Sequence, residues 1–110
     1  MSPKYRRLHD KPRWLNKDDS YMSEDQIVKH FVAHAKTAAA MWRNMPLREV
    51  ARLHSTLGKE VRNDYGLWDA ENPHTVQTPG KGENGTIDHP LFPDQVSFRI
   101  LQRVWGEFHR

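Results

Sequence analysis

Pro46 stands between two apolar patterns of helical period, and it forbids a single long helix there. Proline lacks the N–H that the hydrogen-bond ladder needs, and its ring clashes with the preceding turn. It is well suited to the first position of a new helix. Upstream, Ile27, Val28, Phe31, Ala35, Ala38, Ala39 and Trp42 fall on one face at about 100° per residue. Downstream, Leu47, Val50, Leu53, His54, Leu57 and Val61 make the inner stripe of a second helix. Two long helices joined only by Asn44-Met45-Pro46 read as an antiparallel αα-hairpin.

The helix ends carry their own signals. Ser23-Glu24-Asp25-Gln26 has the form of a capping box, in which the Ser and Gln side chains satisfy each other's backbone N–H. Gly66 can turn left-handed just past the second helix, and Leu67 is the apolar residue expected after such a cap. Residues 69–92 then read as a long irregular segment, rich in Pro and Gly, with a short β-hairpin over Val76–Ile87 as one option. A third helix is predicted from about Asp94, as N-cap, to Phe108. Its apolar face holds Val96, Ile100, Leu101, Val104 and Phe108, and Phe98 and Trp105 widen it. The expected fold is mainly α: a helical hairpin, a C-terminal helix and a basic N-terminal arm over residues 1–22, with residues 23–110 as one domain.

Composition bounds what such a fold can house. At 110 residues with 36% hydrophobic content, the chain suits one domain with a small core. Without cysteine it has no disulfide, no thiolate metal site and no Cys nucleophile. No apolar run approaches the roughly 20 residues that span a bilayer, and no apolar stretch follows the basic N-terminus, so neither a membrane span nor a secretory signal is expected. No cofactor and no metal are expected either. His30 and His34 have an i, i+4 metal-ligand spacing, but no third ligand is near them in sequence. They read as residues at the edge of the apolar face.

Charge is the informative feature. Lys4, Arg6, Arg7, Lys11, Arg13 and Lys17 give the arm a local +3, equal to the net charge of the whole chain. Tyr5, Leu8, Trp14, Leu15 and Tyr21 suggest that this arm docks somewhere. On the second helix, Arg48, Arg52, Lys59 and Arg62 fall within an arc of about 80°, opposite the apolar stripe, as a ridge about 20 Å long. Such a ridge can be a plain solvated face, meet an acidic protein surface or follow nucleic-acid phosphates. Phe98 and Trp105 make a homodimer plausible.

The stretch Leu53-His54-x-x-Leu57-Gly58-x-x-Val61-Arg62-Asn63-x-x-Gly66-Leu67-Trp68 resembles the signature of a small uncharacterised domain that recurs in bacterial and bacteriophage proteins. The later part of that pattern corresponds to His89-Pro90, Asp94 and Ser97, with Leu91-Phe92-Pro93 intervening before Asp94. The resemblance implies a compact helical module of phage or bacterial origin; it carries over no established activity.

Read physically, Gly58 permits close packing of a neighbouring helix, Arg62 can reach the last helical carbonyls or Asp94, Asn63 can tie down loop backbone, and Trp68 can lie over the core as a lid. Alternatively, Arg62, Asn63, His89 and Asp94 surround a polar pocket able to do acid–base work. The expected function is a non-enzymatic binding protein, phage-encoded and acting in the cytoplasm of the bacterial host. It would inhibit or modulate a host defence or nucleic-acid-processing protein through Arg48, Arg52, Lys59 and Arg62 and an acidic patch on that partner. Direct nucleic-acid binding is the alternative. A small hydrolase or nuclease using His54, His89 or Asp94 ranks third.

Overall fold

The computed structural model describes residues 12–76 and 90–110. The described residues are helical: α1 (Glu24–His34), a 3₁₀ turn (Lys36–Ala38), α2 (Ala39–Asn44), α3 (Leu47–Leu53), α4 (Leu57–Asp64) and α5 (Pro93–Phe108). None of these helices is long and apolar enough to cross a membrane. His89 and almost all of the hairpin option lie outside the described residues, as do Lys4, Arg6, Arg7 and Lys11 of the arm.

Local chemistry sets the first helix as expected. The Ser23 Oγ accepts from the Gln26 N–H at 3.2 Å, and the Gln26 Oε1 accepts from the Ser23 N–H at 2.9 Å. Pro46 ends the first half of the hairpin and precedes α3, with Leu47 as the first helical residue. Gly66 takes φ +69°, and a Cβ there would sit 2.5 Å from Pro12 Cγ, so only glycine fits both the backbone and the arm that crosses it.

Each half of the hairpin is segmented, which corrects the expectation of two unbroken helices. The first changes to a 3₁₀ turn at Lys36–Ala38, despite three alanines of high helix propensity. The bend redirects the chain so that Trp42 lies between Phe31 (edge-on) and Phe108 (stacked), both at 6.0 Å. The second half breaks after Leu53. There the Ser55 and Thr56 hydroxyls donate back to the carbonyls of Arg52 and Leu53, at 3.3 and 3.2 Å. Local bonding of this kind offers the backbone an alternative to the helical ladder.

The C-terminal helix is the hub. It packs against α1, α2, α3 and α4 in turn, and its Val96, Ile100, Leu101 and Val104 are buried with Ile27, Val28, Trp42, Val50, Val61 and Leu67. This helix starts at Pro93, with Phe92 as cap, so Asp94 sits in the first turn rather than at the N-cap. Its carboxylate still suits the positive end of the helix dipole. Arg99 and Arg103 clamp Glu24 of α1 at 2.7 and 3.1 Å. Burial would raise the Glu24 carboxyl, but the two guanidinium groups outweigh it and hold it below the ordinary carboxylate range.

From residue 12 onward the arm lies on the helices. The Trp14 N–H donates to the Asp64 carbonyl at 2.9 Å, the Tyr21 hydroxyl donates to Asp69 at 2.7 Å, and Met22 is part of the core. Phe98 and Trp105 are also engaged within the chain. Phe98 packs on His54. The Trp105 Nε1–H donates to the Met45 carbonyl at 2.7 Å, and its ring stacks on His109. Much of the surplus apolar surface on the last helix therefore has cover from its own chain.

Candidate functional site

Four of the motif residues converge where α3, α4 and α5 meet. His54 closes α3, Arg62 lies on α4, and Asp94 and Ser97 occupy the first turns of α5. The Arg62 Nη1 donates to the Ser97 Oγ at 2.9 Å. Ser97 in turn donates to the Asp94 carbonyl at 3.1 Å. The His54 Nε2 lies 3.2 Å from both the Arg62 Nη1 and the Ser97 Oγ, and 3.1 Å from the Asp94 carbonyl. One ring hydrogen decides the pattern. With a hydrogen on Nε2, His54 donates to Asp94 or Ser97; without it, His54 accepts from Arg62.

Gly58 makes this cluster possible. A Cβ at that position would stand 2.6 Å from the His54 Cδ2 and 3.1 Å from the Arg62 Nη1. The glycine makes room for two side chains rather than for a neighbouring helix, which corrects the helix-packing role read from the sequence.

Arg62 is the anchor. Its side chain is only 10% exposed, and its Nε points at the Asp94 carboxylate at 3.4 Å, outside hydrogen-bonding geometry. This placement corrects the ridge of four cations: Arg62 turns inward, and the break at residues 54–56 separates Arg48 and Arg52 on α3 from Lys59 on α4. Arg48, Arg52 and Lys59 remain exposed. Arg52 reaches Glu49 at 3.5 Å with its side chain 78% exposed, and such surface pairs contribute little.

The outer face of the cluster is Trp68. Its ring lies 5.1 Å from the Arg62 guanidinium carbon, and its Nε1–H donates to the Asn63 Oδ1 at 2.8 Å. Trp68 is 47% exposed, so it is not the core lid expected from the sequence; the neighbouring Leu67 fills the core instead. Asn63 holds the indole rather than loop backbone.

Chemically, the Ser97 Oγ and His54 Nε2 stand at a nucleophile–base distance. Ser97 is nevertheless fully buried, so its hydroxyl has no route to an external carbonyl or phosphorus atom. The Asp94 carboxylate faces Arg62 rather than the imidazole. The arrangement is a buried polar joint that locks α3 and α4 to α5, with an aromatic ring displayed on its outside. His89, the remaining member of the polar pocket read from the sequence, is outside the described residues.

The His30 and His34 rings lie 4.2 Å apart between centres, tilted by 34°. Among the described residues, no group of three His, Asp or Glu side chains could hold a metal ion. His30 instead shares a 2.7 Å hydrogen bond with the Tyr65 hydroxyl. Burial, aided by the neighbouring His34, holds the His30 imidazole below its usual range. Neither the role of Ser97 nor this His–Tyr contact has a local signal; both depend on pairings across more than 30 positions.

Comparisons with known proteins add no identity: no family model, no curated protein and no solved structure matches the chain.

Proposed function

We propose that the chain is a non-enzymatic binding protein that occupies an acidic surface of a partner protein. Trp68 would be its aromatic anchor, and Arg48, Arg52 and Lys59 its exposed charge. The observation that supports this reading is the half-exposed indole of Trp68, supported by Arg62 and held at its Nε1 by Asn63. An aromatic side chain already fixed in place loses little freedom on association. Tryptophan is also among the residues that most often dominate interface energies. Exposed cations speed and orient such an encounter. In its concrete form, the protein is phage-encoded, an origin that rests on the motif likeness, and inhibits a host defence or nucleic-acid-processing protein.

The test is capture from bacterial lysate with and without nuclease treatment, using the wild-type chain, Trp68→Ala and a triple charge reversal at Arg48, Arg52 and Lys59. The expected result is a protein that survives nuclease treatment and is lost with either variant. Retention of nucleic acid alone, with an affinity that falls steeply as salt rises, favours direct nucleic-acid binding. Retention unaltered by both variants removes this surface as the interface.

A further inference from the structure

Helix α4 has a second working side. Gly58 and Arg62 face the polar joint, whereas the midpoint of Glu60 and Asp64 falls about 160° from theirs around the helix at 100° per residue. Glu60 and Asp64 border a cavity of about 200 Å³ with walls of Trp14, Phe31, Tyr65 and His34. That volume lies below the roughly 300–1,000 Å³ of ordinary ligand pockets, and suits one head group rather than a whole cofactor.

The aromatic walls are fixed before any ligand arrives. Trp14 is tied by its backbone to Asp64, and its ring packs against His30 and His34 at 4.7 and 5.0 Å. Tyr65 is buried and locked to His30 at 2.7 Å. The rim is acidic: among the described residues, neither the Glu60 nor the Asp64 carboxylate has a hydrogen-bond or ion-pair partner. Arg13, which does not line the cavity, already places its guanidinium 5.1 Å from the Trp14 ring centre, so this indole accepts a cationic neighbour. Aromatic faces attract cations through the ring quadrupole, most strongly where water is excluded. Two unpartnered carboxylates beside those faces add a charge preference that an apolar crevice lacks.

We propose that this cavity binds an organic cation, a single guanidinium or alkylated ammonium head, between the aromatic walls and the Glu60–Asp64 rim. The head group can belong to a free small molecule or to a side chain of a partner protein; the recognition chemistry is shared. The site is independent of the Trp68 surface, so either can fail without the other.

The experiment is NMR titration of the full chain with choline, agmatine, the uncharged carbon isostere of choline, and a short capped peptide carrying one arginine. Choline or agmatine should shift the Trp14 indole signal and the ring signals of Phe31 and Tyr65, while the isostere leaves them in place. The double variant Glu60→Gln, Asp64→Asn preserves shape and removes charge, and it should weaken binding by about tenfold or more. A peptide that binds more tightly than agmatine assigns the site to a partner's side chain; the reverse order assigns it to a free cation. Absence of any shift at millimolar cation overturns the proposal. So does an equal response to the isostere, or undiminished binding by a double variant with a native spectrum.

Discussion

Replacing Trp42 with alanine is expected to lower the unfolding free energy by about 3–5 kcal/mol, the range for removing a large buried aromatic residue. Trp42 is 2% exposed and lies between Phe31 and Phe108, so it joins the first half of the hairpin to the C-terminal helix. Neither ring can fill the space without moving its own helix. Domains of this kind have about 5–15 kcal/mol in total, so the loss takes a large share of the stability and should be evident in chemical denaturation. Trp68→Ala is the matched control. The same residue type at 47% exposure should cost about 1 kcal/mol or less, the value of an exposed cation–π contact. Similar losses at the two positions would contradict the burial described for them.

The second large effect falls on Arg62. Arg62→Ala removes the donor to Ser97, the neighbour of His54 and the support under Trp68. A hydrogen bond from a charged group is worth about 1.5–3 kcal/mol, and the vacated space adds to that, so a loss of about 2–4 kcal/mol is expected. Asp94→Asn should behave differently. The Asp94 side chain is 57% exposed, and solvent screening reduces such a pair to about 1 kcal/mol or less. Urea denaturation of the two variants separates these roles: a loss at Asp94 equal to that at Arg62 would mean that the ion pair, rather than the hydrogen bonds to α5, holds the joint. Lysine should not rescue position 62, because a single ammonium cannot reproduce the planar fork.

The parts of this fold that are legible in the sequence are those set by neighbours along the chain. The Ser23 capping box, the left-handed Gly66 with Leu67 behind it, and the buried face of Val96, Ile100, Leu101 and Val104 all follow from short spacings. The helix breaks do not. Alanines 38–40 favour continuation, and the stop after Leu53 depends on two hydroxyls choosing backbone carbonyls over solvent. The basic ridge needs an unbroken helix; with the break after Leu53, Arg62 turns to the interior. The candidate site is legible as a set of residues, since His54, Arg62, Asn63 and Asp94 all stand in the motif. Its geometry is not: Ser97 and Gly58 stand in the motif, but what they organise is a contact between Arg62 and a residue 35 positions away and the room that a missing Cβ leaves. The cavity around Trp14 and Tyr65 brings together positions from the arm, α1 and α4, and no local spacing links them.

The proposed binding role depends on Trp68 being an exposed ring fixed in place by Asn63 and Arg62. Nitrogen-15 relaxation of the tryptophan indole N–H groups tests it most directly. In the wild-type chain, the Trp68 indole should be as rigid on the nanosecond timescale as that of buried Trp42, and it should become mobile when Asn63→Ala removes its hydrogen bond. A Trp68 indole that is already mobile in the wild type, or one that Asn63→Ala leaves unchanged, would contradict the claim.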